Sequence, residues 1–90
     1  MGKPVVIDFY AEWCGPCKRQ GPILEELKAR MGDAIEIKKL DVDIHLDEAQ
    51  QYRLTVVPTI IVEKDGNVIK KYEGVTEADI LEKVLRPLVE

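Results

Sequence analysis

Scarcity frames this chain of ninety residues. It has two cysteines, one histidine, one tryptophan, one phenylalanine and two methionines. A closed zinc site needs four ligands, and two cysteines with His45 supply three, so cysteine and histidine alone cannot build one within a single chain. No apolar run is long enough to span a membrane, and no signal peptide is read at the start. The cytoplasm is therefore expected, a compartment in which paired thiols are more often catalytic than structural. Repeats, low-complexity tracts and linkers are also missing. The net charge of −4 argues against nucleic acid as a partner. A monomer is the default expectation. What remains is a mixed-charge chain, 33 % charged and 46 % apolar, sized for one domain over residues 1–90 with a modest core.

Both cysteines fall in one stretch, Ala11-Glu12-Trp13-Cys14-Gly15-Pro16-Cys17-Lys18. The apolar run Val5–Tyr10 before it reads as a strand buried on both faces. The segment after it has helical spacing, with Cys17, Ile23, Leu24, Leu27 and Met31 on one face. The Cys-x-x-Cys thus stands where a strand hands over to a helix expected over residues 14–31. Unpaired N–H groups and the dipole at a helix start stabilise a thiolate at Cys14, the reactive form of cysteine. Pro16 suits the first turn because its missing N–H is not needed there. Gly15 is expected to allow a tight turn between the sulfurs. The competing reading, two inert buried thiols, fits this spacing and junction less well.

Phe9-Tyr10-Ala11-Glu12-Trp13-Cys14-Gly15-Pro16-Cys17-Lys18 resembles the active-site signature of thioredoxin, and the resemblance extends over nearly the whole chain. It implies a dithiol that reduces protein disulfides, with Cys14 attacking, Cys17 resolving and no cofactor. It also implies disulfide-containing target proteins and a thioredoxin-reductase-like electron donor as partners.

Further positions carry a plain reading and one implied by the family. Asp8 interrupts the apolar strand and is expected to be buried, with a raised pKa. By resemblance it lies beneath the dithiol and moves the proton of Cys17. Lys39, on a face shared with Ile35, Ile37 and Asp41, reads first as a snorkelling side chain. The family match makes it the tuner of Asp8. Pro58 reads as a proline permitted at a strand start. The Val57-Pro58-Thr59 match implies a cis bond beside the dithiol, with the Val57 backbone pairing to a substrate strand. Val56 departs from the family pattern, which often has a small residue there, and its bulk narrows the docking surface. Gly74 reads as a loop glycine. By resemblance it lines the groove beside Cys14, while Trp13, Gly15 and Pro16 complete the docking surface.

The remaining elements follow from local signals. Pro22 is expected to kink the first helix and Gly32 to end it as a left-handed cap. A second strand is expected over residues 34–43, with Leu40 and Val42 on the face opposite Ile37. A short helix is expected over residues 44–54, capped by Asp47 with Gln50. A third strand, 59–63, and a fourth, 68–72, should form a hairpin across Lys64-Asp65-Gly66-Asn67. A last helix should open at Thr76 as N-cap, bury Ile80, Leu81, Val84, Leu85 and Leu88, and kink or end at Pro87.

The order β-α-β-α-β-β-α makes an α/β fold with a four-stranded mixed sheet and three helices. A right-handed crossover joins the first two strands in parallel. The thioredoxin-like order would be second, first, third, fourth. Full-length members usually carry a further strand and helix first. Without them the second strand is an edge, blunted by Glu36, Lys38 and Lys39, and one sheet face is covered mainly by the short helix. Other readings of the dithiol stay open: an oxidase or isomerase, since direction depends on potential and not on motif; a binding module with idle cysteines; or a carrier in which two chains share a metal or iron–sulfur group.

Overall fold

A computed structural model describes residues 2–89. Strand β1, Val5–Tyr10, occupies the apolar run read from the sequence. Helix α1, Gly15–Met31, follows with Cys14 as its N-cap, and it includes Pro22. Its buried residues are Cys17, Gln20, Leu24, Leu27 and Met31, spaced three and four apart as one helical stripe. Gln20 is not among the residues that apolar spacing places there. Gly32 caps α1 with φ 56° and ψ −134°, which is outside the expected left-handed helical basin. The chain then turns through a 3₁₀ segment, Gly32–Ala34, that shortens the next strand at its start.

Strand β2 is Glu36–Asp41. It ends early because the carbonyl of Asp41 accepts the N–H groups of Ile44 and His45, and its carboxylate accepts that of Asp43. This turn launches α2, Leu46–Gln51, with His45 as N-cap and no capping side chain. Asp47 is therefore not the cap. It stands in the first turn, where its charge suits the dipole.

Strands β3, Thr59–Lys64, and β4, Asn67–Glu73, meet across a two-residue turn. Asp65 and Gly66 both have positive φ, 52° and 82°. That is the Asp-Gly turn whose twist matches a hairpin. Helix α3, Ala78–Leu85, gives way to a 3₁₀ turn at Arg86–Leu88, as Pro87 requires. Its N-cap is Glu77 and not Thr76. Ile80 corrects the expected stripe: it is 47 % exposed, whereas Ala78, Leu81 and Leu85 are buried. In a helix of eight residues the stripe fits only the side chains that turn toward α1 and the sheet.

The sheet order is β2-β1-β3-β4, parallel between β1 and β2 and antiparallel elsewhere, in agreement with the expected thioredoxin-like arrangement. One face carries the larger core, where Val6, Ile60 and Val62 meet Leu24 and Leu27 of α1 and Leu81 and Leu85 of α3. Arg30 pins these helices from outside, bonding Glu26, Asp79 and Glu82. The other face holds Ile7, Phe9 and Ile61, with Leu40 and Tyr52 against them. Tyr52 stacks on Phe9 at a tilt, with ring centroids 5.4 Å apart. Its hydroxyl bonds the Glu63 carboxylate. As expected, β2 is an edge, and Glu36, Lys38 and Lys39 on it are exposed.

Candidate active site

The site begins where β1 ends. Ala11 is buried, and its carbonyl accepts the N–H of Cys14, closing a tight turn before α1. Cys14 and Cys17 form a disulfide, with Cα atoms 5.3 Å apart. As N-cap, the Cys14 sulfur accepts the N–H of Cys17 at 3.2 Å. This N–H belongs to the set with no carbonyl partner inside the helix. It would stabilise a thiolate at Cys14 once the disulfide is reduced. The two sulfurs pack with Ala11, Tyr10, Val42 and Val57, so the dithiol is largely walled by apolar atoms.

Gly15 lies exposed at the first helical position. A Cβ there would meet nothing within 4 Å, and its φ is not positive. The expected need for glycine in a tight turn between the sulfurs is thus not met, because the helix has already started. Pro16 is exposed in the first turn, as its chemistry allows. Trp13 is 72 % exposed, and its indole N–H donates to Asp43 at 3.0 Å. That bond links the turn before α1 to the turn after β2. Trp13, Asp43, Leu46, Val56 and Val57 line one shallow open groove. Val56 is exposed on it.

The Val57–Pro58 peptide is cis. The Val57 carbonyl oxygen is 3.6 Å from the Cys14 sulfur. Pro58 is buried, and its carbonyl accepts the N–H of Gly74 at 2.8 Å. The structure thus brings Cys14, Val57, Pro58 and Gly74 into one chain of contacts from segments far apart in sequence. Gly74 has φ 92°, and a Cβ on it would meet nothing within 4 Å. Its conformation, more than local crowding, is what requires glycine.

Asp8 is 1 % exposed. It points with Val6 into the layer between the sheet and α1, the layer that also receives Cys17. One of its oxygens, Oδ1, has no hydrogen-bond partner among the described residues. Burial raises its pKa from 3.8 to about 6, against the opposing pull of Lys39. Lys39 is its register partner on β2. The Lys39 ammonium is exposed and sits 5.4 Å from the Tyr10 ring centroid. A second depression, lined by Tyr10, Cys17, Lys18, Gly21 and Lys39, opens beside the Cys17 end of the disulfide. Among the described residues, no three His, Cys, Asp or Glu side chains gather to hold a metal.

Sequence reasoning missed three residues around this site: Asp43, Gln20 and Thr76. Gln20 was legible in principle, since a polar residue occupied the one stripe position at 17, 20, 24, 27 and 31 that apolar counting left out. Asp43 gave no local signal and Thr76 only that of a helix cap, because their partners lie 30 and 56 residues away.

Comparison with known proteins agrees with this geometry. The thioredoxin family model matches residues 1–87. The chain is similar to mitochondrial thioredoxin of Bos taurus, 43 % identical over 86 residues, covering 96 % of this chain and 52 % of that protein. It is similar to thioredoxin of Bacillus subtilis, 42 % identical over 81 residues, covering 90 % and 78 %. Among solved structures, mitochondrial thioredoxin 3 of Saccharomyces cerevisiae in its oxidised form superposes with a TM-score of 0.84 at 39 % identity, covering 97 % and 80 %. The chain spans about half the length of the mitochondrial relatives it matches. With a matching fold and a family model that covers nearly every residue, the chain belongs to the thioredoxin family.

Proposed function

We propose that this protein reduces disulfides in other polypeptides through its Cys14–Cys17 dithiol. The observation that carries the reading is the placement of the Cys14 sulfur. It caps a helix N-terminus, receives the Cys17 N–H and lies 3.6 Å from the Val57 carbonyl oxygen. A thiolate there is stabilised by the same N–H, and a substrate strand pairing with Val57 would bring its disulfide alongside.

The chemistry balances as two exchanges. The Cys14 thiolate attacks one sulfur of the target, breaking the target S–S bond and forming a mixed disulfide with release of a target thiolate. Cys17, losing its proton to Asp8, then attacks the Cys14 sulfur. That step releases the second target thiolate and closes Cys14–Cys17. Two electrons pass from the dithiol to the target, and an external reductant, a thioredoxin-reductase-like donor, must restore them. Asp8 suits the proton transfer because a carboxyl with pKa about 6 exchanges protons readily near neutral pH. Lys39 tunes that value from the surface. Trp13, Gly15, Pro16, Pro58 and Gly74 present the docking surface around Cys14. The working form is a monomer. A dithiol reductant needs a compartment that keeps thiols reduced, and the cytoplasm is the one we propose.

Cysteine variants test the assignment. Cys17→Ser should accumulate mixed disulfides with target proteins, and Cys14→Ser should not. Equal trapping by both would overturn the roles. Equilibration with dithiothreitol and glutathione buffers separates the neighbouring readings. A strongly reducing potential supports the reductase, and a markedly oxidising one supports an oxidase or isomerase.

A further inference from the structure

Gln20 is wholly buried, one helical turn beyond Cys17. Its side-chain amide donates to the Thr76 carbonyl at 2.9 Å and accepts the Thr76 N–H at 2.8 Å. Both bonds go to a single residue that lies outside any strand or helix. Neither of those backbone groups has a ladder or helical partner, so the glutamine takes the place that a neighbouring strand would fill. The loop it holds is also tied at its other end. The Thr76 hydroxyl donates to the Gly74 carbonyl at 3.1 Å, and the Gly74 N–H donates to the Pro58 carbonyl at 2.8 Å. A continuous chain of hydrogen bonds therefore runs from the dithiol helix through Gln20, Thr76 and Gly74 to Pro58. The next carbonyl back, that of Val57, is the one beside Cys14.

We propose that Gln20 is a positioning residue for polypeptide docking, fixing the Gly74–Thr76 loop and the Val57–Pro58 edge at a set distance from Cys14. This rests on the disulfide-reductase reading above. The physical case is one of satisfaction. A buried amide is tolerated only when its groups are paired, and here they are paired by a peptide group that is itself buried. Replacing Gln20 by an apolar residue orphans both backbone groups of Thr76. Each orphan is unfavourable for as long as it stays buried. The loop is not held by the sheet or α3 at that point, so it shifts to reach water and carries Gly74 with it. A polypeptide that must touch Cys14, Val57 and Gly74 together then meets a misaligned surface. A small disulfide that needs only the Cys14 sulfur does not.

The test compares Gln20→Leu with the unaltered protein in dithiothreitol-driven reduction of insulin, alongside single-turnover reaction of the reduced dithiol with 5,5′-dithiobis(2-nitrobenzoate). The KM for insulin is expected to rise about tenfold, with less than a twofold change in limiting rate and in the rate with the small disulfide. A parallel fall in both reactions, or an unchanged KM, overturns the proposal. If Gln20→Leu does not fold, Thr76→Val decides. It removes the hydroxyl bond to Gly74 alone and should raise the insulin KM two- to threefold, and an unchanged KM overturns the proposal. If the unaltered protein itself fails to reduce insulin while its dithiol reacts with the small disulfide, the reductase reading fails and not the role of Gln20.

Discussion

Asp8 and Lys39 stand opposite each other in the parallel register of β1 and β2, one buried between the sheet and α1 and the other open to solvent. The pair is unequal. Burial acts on Asp8 more strongly than the lysine does, so its carboxyl pKa rises to about 6 despite the nearby positive charge. An exposed ammonium loses much of its reach to water and salt. Among the described residues, Oδ1 of this carboxyl has no hydrogen-bond partner.

Stability should fall with rising pH because of Asp8. Between 3.8 and about 6 the folded chain holds a proton that the unfolded chain has released. A raised carboxyl pKa therefore removes stability as pH climbs through that window, and the loss persists above it. The gap between 3.8 and about 6 corresponds to about 3 kcal/mol. Asp8→Asn should be more stable than the unaltered protein at pH 7.5 by about 2–3 kcal/mol, with the difference gone near pH 4. Denaturant titrations at the two pH values check this, and a pH-independent difference would contradict it. The same variant should slow release of target thiol from the mixed disulfide.

Lys39→Met should push the Asp8 pKa further up, since the one opposing charge is removed. Carbon-13 NMR of the Asp8 carboxyl reads the midpoint directly. In the unaltered protein that midpoint should drift upward with added salt, and in the variant it should stay nearly still.

Trp13 should loosen when Asp43 is replaced. Its indole N–H bond to Asp43 is exposed, so Asp43→Ala should change stability by less than about 1 kcal/mol. As the sole tryptophan, Trp13 reports on itself: its fluorescence anisotropy should drop. The KM for a polypeptide disulfide should rise, because the groove loses a fixed wall. Unchanged anisotropy would mean that packing, not the hydrogen bond, orients the ring.

Leu81 and Ile80 are neighbours with opposite fates. Leu81 is fully buried against α1 and the sheet, and Ile80 is on the outer side of α3. Leu81→Ala should cost about 2–5 kcal/mol through lost burial and a residual cavity. Ile80→Ala should stay within about 0.5 kcal/mol. Thermal unfolding of the two variants separates them.

Much of this protein was decided by the sequence alone, wherever the deciding physics is local. Val5–Tyr10 forms a strand because six consecutive residues suit a covered sheet, and both its ends match the structure. Asp65-Gly66 turns because both residues tolerate positive φ. Pro87 ends α3 because it has no N–H to give. The dithiol at a strand–helix junction was legible for the same reason. The strand order was implied by the family likeness, and the structure agrees.

Tertiary structure alone decided the rest. Gln20 is buried only because Thr76, 56 residues away, supplies both of its partners. Thr76 is not the cap of α3 because Gln20 and Gly74 hold it in the loop before the helix, which starts one residue later with Glu77 as N-cap. Helix α2 starts where the Asp41 carbonyl closes the turn, ahead of the cap that local pattern favours. Ile80 is exposed because an eight-residue helix presents only part of an apolar stripe to its neighbours. In each case a polar group or apolar face is settled by what a distant segment brings to it, and neither composition nor periodicity encodes that distance.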